Sequence, residues 1–270
     1  MKRYVKKQVL SLMDTMDEAL NFVEKHIGVN YEVTEQLLQD CQLCAVQIGT
    51  TVKESNDKAD NILHKLEEYC EMINHLSSSM GDEIYSLKLI KCIRENADWI
   101  ANSIKNNIRT EIEVLFMPYK ASMWTSLESI WKAAKNDIDC KAVVMPIPYF
   151  TISDASKVSE IYEGDKFPKN VPITDYRKYN IEKVHPDIIF IHNPYDDKNN
   201  LLSVHPDYYT SKIKNYTDCL VYSPYFTFGS YTPEKSDFQY VAPGIINADR
   251  VIVQSEKVKR IFCTYGYEDT

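Results

Sequence analysis

The 270-residue chain carries 31 Lys and Arg against 39 Asp and Glu, a net charge of −8, and is 44% hydrophobic and 26% charged. That composition describes a globular protein with enough apolar residues to bury a core unaided. The acidic balance excludes the basic face that nucleic-acid binding needs, and no apolar run approaches the ~20 residues of a membrane span.

The sequence opens on MKRYVKK, a small basic patch that reads as a solvated helix start, with a peripheral contact to the inner membrane face as the alternative. In VLSLMDTMDEALNFVEKHI, residues Val9, Leu12, Met13, Met16, Leu20, Val23 and Ile27 recur at three- and four-residue steps, which predicts a helix. A second helix is expected from Thr34 through LLQDCQLCAVQIGTTV, and a third through ADNILHKLEEYCEMINHL. The fourth follows Gly81, with Asp82 as its N-cap. CQLC at 41–44 has the CxxC spacing but lies inside a helical pattern without a second pair, so it reads as small apolar residues and not as a metal site. Seven cysteines at irregular spacing, with no export signal, point to free thiols and a cytoplasmic protein. All eleven prolines lie at or after Pro118 and fifteen of the nineteen tyrosines at or after Tyr119. The shift divides the chain into a helical domain, 1–109, and a second domain, 110–270. The helical domain could mediate oligomerisation or cover its neighbour.

Residues 110–270 alternate strands and helices. Strands are expected at 111–117, 141–147, 187–193, 218–223 and 248–255, with helices at ASMWTSLESIWKAAKND, PDYYTSKIKNY and EKVKRIFCTYG. Apolar runs of this length between helices indicate a parallel sheet, and the fold class is α/β: a helical bundle followed by a Rossmann-like, doubly wound sheet. Four apolar runs end in Pro-Tyr: at Tyr119, Tyr149, Tyr195 and Tyr225. Proline cannot continue a central strand, and tyrosine brings a flat apolar face with a hydroxyl. The pattern therefore predicts a tyrosine-lined cleft at the carboxyl ends of the strands, where open parallel sheets bind ligands.

IHNPYDD adds titratable groups to that rim. His192 emerges at a strand end and is the candidate general base, with Asn193 as a hydroxyl or phosphate donor and Asp196 or Asp197 as the group orienting the imidazole or holding a metal-bound phosphate. Lys120 is the phosphate partner in the first strand-to-helix turn, and Ser223 stands beside Tyr225. His205 either joins the site or caps the helix that Pro206 begins, and Ser255 either meets an anion or simply caps its helix. GxGxxG, GxxxxGK[ST] and GxSxG are absent, and seven glycines do not build a pyrophosphate cradle. No tightly bound cofactor and no metal is expected.

The segments IEVLFMPYKASMWTSLESIWKAAKND, YEGDKFPKNVPITDYRKYNIEKVHPDIIFIHNPYDD and VHPDYYTSKIKNYTDCLVYSPYF resemble the N-terminal half of bacterial CDP-glycerol glycerophosphotransferase-like proteins. The resemblance covers about 110–265. It implies a glycosyltransferase-B architecture in which this half presents the acceptor side. The acceptor would be a polyol phosphate or glycan of a cell-wall or capsule polymer such as teichoic acid. CDP-glycerol or a related nucleotide donor would bind a second, C-terminal domain that the chain does not reach, leaving this half inactive alone. The Trp-His-Gly-Thr motif of the teichoic-acid polymerases has no counterpart, since the nearest position reads Tyr222-Ser223-Pro224-Tyr225. Two other readings stand beside it: a non-catalytic binding or scaffold module with a degenerate Rossmann domain, and a nucleotide-sugar glycosyltransferase.

Overall fold

A computed structural model describes residues 1–55, 59–153, 156–228 and 238–267. The chain forms two compact units, Met1–Glu111 and Ile112–Thr270.

The first unit is a four-helix bundle of α1 (Arg3–Lys25), α2 (Tyr31–Ser55), α3 (Asp60–Ser79) and α4 (Glu83–Asn107), each packed on its sequence neighbours and α1 also on α4. The helical spacing directs one stripe of each helix inward. Val9, Met13, Met16, Leu20 and Val23 of α1 are buried against Leu38, Ile48, Leu66, Ile73, Ile90 and Ile100. Asp82 caps α4, accepting the Tyr85 N–H at 3.1 Å. The opposite end of α4 is closed from a distance. Lys6 Nζ donates to the carbonyls of Lys105 (2.9 Å) and Ile108 (2.7 Å) and to Thr110 Oγ1 (3.0 Å). A cation there satisfies carbonyls that the helix leaves open and complements its dipole. Lys6 is therefore buried and withdrawn from the N-terminal basic patch. Cys41 and Cys44 sit buried and half-buried on α2, where burial raises both thiols. Among the described residues no group of three or more His, Cys, Asp or Glu side chains could hold a metal, and no helix is long and apolar enough to cross a membrane.

The second unit is built on a five-stranded parallel sheet. Its strands are β1 (Ile112–Met117), β2 (Cys140–Val144), β5 (Ile188–Ile191), β7 (Cys219–Tyr222) and β8 (Arg250–Val251), in the order β2-β1-β5-β7-β8. Alternate residues of β1 point to opposite faces, as the pleat requires. Val114 and Phe116 pack with Trp124, Leu127 and Trp131, the last two on α5 (Thr125–Asn136). Leu115 and Met117 join Ile213, Ile245 and Phe262 from the helices α7 (Thr210–Ile213), α8 (Pro243–Ile246) and α9 (Glu256–Thr264). Both faces are covered, so the α/β fold is doubly wound and Rossmann-like. The helix α6 (Ile181–Val184) precedes β5.

The sequence pattern missed a second sheet. β3 (Tyr149–Ser153), β4 (Ser156–Ile161) and β6 (Leu202–Val204) form an antiparallel sheet in the order β4-β3-β6. β2 accordingly stops at Val144, before the two prolines at 146 and 148, although Met145 and Ile147 still donate to the carbonyls of Phe116 and Pro118 at 2.9 Å. Residues 206–216, expected as one helix, break into Pro206–Tyr208, α7 and Lys214–Tyr216, because Tyr209 is extended and α7 starts afresh at Thr210.

Candidate functional site

The chain runs from β1 outward to β2, then returns to place β5 on the other side of β1. The strand order thus reverses between β1 and β5, and the crevice at their carboxyl ends is the place where doubly wound sheets bind ligands. Tyr119 and Lys120 follow β1, His192 and Asn193 follow β5, and Ser223 and Tyr225 follow β7 at that edge.

Tyr119 is the hub. Its ring meets Tyr149 edge-on at 5.4 Å, His192 at 5.1 Å and Tyr225 at 6.4 Å. Burial, followed by the nearby Tyr225 phenol, pushes its titration upward. Tyr222, at the end of β7, is also fully buried, and its hydroxyl has no hydrogen-bond partner among the described residues. Burial and the phenols of Tyr195, Tyr225 and Tyr119 push it upward as well. Burial, with the Tyr225 phenol, raises Tyr195 to about 12. Tyr195 stacks on Phe238 at 5.3 Å. Three Pro-Tyr endings therefore meet around one crevice. The fourth arrives differently, because Tyr149 opens β3 of the second sheet and not the end of β2, yet its ring still reaches Tyr119.

Lys120 lies over the rings of Tyr149 (5.3 Å) and Tyr119 (5.7 Å), a cation held on two aromatic faces. Glu163 completes this corner. Its Oε2 accepts the Ala121 N–H at 2.9 Å, and its Oε1 accepts the Tyr149 hydroxyl at 3.1 Å and Lys166 Nζ at 3.4 Å. Burial works to raise Glu163, but these donors together hold it below the usual carboxylate range. The same contact, behind burial, lifts Tyr149 to about 12. Sequence reasoning passed over Glu163, which lies 42 residues from Ala121 in a turn and carries no strand-end signature.

His192 does not fit the role of general base. It is fully buried, and its Nε2 accepts the Tyr119 N–H at 3.1 Å. The ring proton must then sit on Nδ1, which faces the Met123 carbonyl and Ser126 Oγ, 3.3 Å away. Both nitrogens are spent on fixing the turn after β1. Burial drives the imidazole down to about 3, against the Met123 carbonyl that raises it. Asp196 does not orient the imidazole either. Its Oδ2 accepts the Thr210 N–H (3.0 Å) and hydroxyl (2.7 Å), which caps α7. Burial raises this carboxyl to about 6, opposed by the two Thr210 bonds.

The remaining expected residues are structural or peripheral to the crevice. Asn193 Oδ1 accepts the Tyr195 N–H at 3.0 Å, a turn-forming contact. Ser223 is buried and donates to the Ser126 carbonyl at 3.3 Å. His205 stacks on Phe150 at 5.8 Å and accepts the Asp207 N–H at 3.2 Å, so it caps the turn that Pro206 begins. Ser255 caps α9, accepting the Val258 N–H at 3.3 Å. One glycine shapes the crevice wall. The Gly244 N–H donates to the Pro194 carbonyl at 2.7 Å, and a Cβ there would lie 2.6 Å from Pro194 Cα. Only glycine lets α8 pack this closely on the turn after β5.

No family model, no curated protein and no solved structure matches the chain. The geometry alone describes a cluster of largely buried tyrosines at the carboxyl edge of the sheet, with Lys120 and the Glu163–Lys166 pair at one corner.

Proposed function

We propose that the α/β unit is the acceptor-side domain of a two-domain transferase of glycosyltransferase-B type, binding a polyol-phosphate or glycan acceptor in the crevice between β1 and β5. The observation that supports this reading is the placement of Tyr195, Tyr225 and Lys120, all partly exposed, at the sheet's switch point around the buried rings of Tyr119 and Tyr149. Aromatic faces suit the C–H surface of a polyol or sugar, hydroxyls suit its oxygens, and an ammonium suits a phosphodiester. In this reading CDP-glycerol or a nucleotide sugar binds another domain, and the polymer belongs to a cell wall or capsule.

A second reading, a non-catalytic binding module, draws on the engagement of His192, which leaves the crevice without the base first assigned to it.

Titration of glycerol-phosphate oligomers into the chain tests the acceptor site. Lys120→Ala and Tyr225→Ala should each weaken binding by about tenfold, roughly 1.4 kcal/mol. Unchanged affinity in both variants would refute the crevice as the acceptor site. Acceptor-dependent release of CMP from CDP-glycerol supports the transferase, and binding without turnover supports the module.

A further inference from the structure

The antiparallel pair α2 and α3 leaves a groove of about 790 Å³ on the outside of the bundle. Its floor is apolar: Ala45, Val46 and Gly49 from α2, Leu63 and Leu66 from α3. Gly49 opens that floor, because a Cβ there would make only ordinary contacts with Leu66 Cδ1 at 3.6 Å and Leu63 Cδ2 at 3.7 Å. Val46 is 61% exposed and Leu43, one turn before it, 68%, so the apolar strip continues along the α2 surface. The bundle exposes other apolar side chains, Val29 and Ile84 among them, but Leu43 and Val46 are the two that adjoin a groove. The charged border is one-sided, with Glu54, Glu67 and Glu71 against Lys53.

We propose that this groove is a docking site for an amphipathic helix whose apolar stripe is flanked by lysine or arginine. Small residues in the floor let a third helix approach closely, and the apolar strip receives its i, i+3, i+4 anchors. The border selects the sign of the partner. Three glutamates attract basic flanks, whereas a second copy of this chain would set glutamates against glutamates on a molecule already carrying a net charge of −8. From residue 45 to residue 54 the groove runs about 14 Å, or roughly three turns of the incoming helix. A contact of that length buries well under ~1,000 Å² and belongs to the weak, transient class.

The probe is a fluorescein-labelled peptide of about 16 residues, helical in pattern, with Leu and Ala on one stripe and Lys on the rest. It is titrated against the full chain by anisotropy, beside the same peptide carrying Glu for Lys. The Lys peptide should saturate in the micromolar range and weaken with salt, and the Glu peptide should bind at least about tenfold more weakly. Gly49→Leu fills the floor and removes a helix-weakening glycine, so it should fold normally yet lose about tenfold or more in affinity. The combined reversal Glu54→Lys, Glu67→Lys and Glu71→Lys should exchange the peptide preference. Equal binding of the two peptides, absence of binding, or binding indifferent to Gly49→Leu would overturn the proposal. Self-association detected by sedimentation and abolished by Gly49→Leu would overturn it too, assigning the groove to a second copy.

Discussion

His192 and Asp196 stand four positions apart and oppose each other across the same pH range. The imidazole falls from an ordinary 6.5 to about 3 on folding, mainly by burial. Its contribution to stability is complete above pH 6.5 and is lost as pH falls toward 3, because the unfolded chain binds the extra proton. The Asp196 carboxyl rises from 3.8 to about 6, again mainly by burial. Its contribution is complete below pH 3.8 and is lost as pH rises through 6, because here the folded chain binds the extra proton. Between pH 4 and 6 each group shifts stability by up to about 1.4 kcal/mol per pH unit with opposite sign, so the wild type hides both. His192→Gln retains an acceptor for the Tyr119 N–H and removes the first effect, so stability should fall as pH rises from 4 to 6. Asp196→Asn retains acceptors for Thr210, suits the left-handed backbone at φ 49°, and removes the second. Its stability should rise steeply over the same range. The two slopes should differ by about two protons, near 2.7 kcal/mol per pH unit. Urea melts followed by tryptophan fluorescence measure this in a Trp99→Phe background, where Trp124 and Trp131 report on the α/β unit alone. Parallel slopes in the two variants would refute the assignment of both side chains as buried structural groups.

Three further outcomes are expected. His192→Ala leaves the Tyr119 N–H unpaired beside a cavity and should cost about 3–5 kcal/mol in the same melts, whereas His192→Gln should lose much less and still bind the glycerol-phosphate oligomers with wild-type affinity. Gly244→Ala drives a methyl against the Pro194 backbone and should destabilise the α/β unit by about 2–3 kcal/mol; Gly49→Ala, with room for its Cβ, should stabilise the bundle by up to about 1 kcal/mol, both read from thermal melts. Lys6→Met strips the Lys105 and Ile108 carbonyls of their donor and should cost the bundle about 2 kcal/mol, seen as an earlier transition in far-ultraviolet circular dichroism.

Local rules were enough for the four bundle helices, α5, α9 and the central parallel strands, though not for the broken segment at 206–216 or the two-residue β8. The three- and four-residue spacing of Val9, Met13, Met16, Leu20 and Val23 names the buried stripe of α1 before any packing is known. Asp82 announces its helix because an N-cap acts within one turn. The apolar runs of β1, β5 and β7 announce central strands because both faces are covered, and the prolines after them say where the ladder stops. Even the rim was legible to that extent: Pro-Tyr marks strand ends, and strand ends of a parallel sheet share one edge. Long-range contacts determined the rest. Nothing near Tyr149 in the chain says that it opens a second sheet, since its partners are Ile161 and Val204. Glu163 joins this corner through the Ala121 N–H, 42 residues away, and the Tyr149 hydroxyl, and Lys6 closes a helix 99 residues on. His192 has the residue type and strand-end position of a base. Its role was settled by the burial of its ring and by two hydrogen bonds to the turn after β1. Titration depends on solvent and partners, which folding supplies and residue order does not.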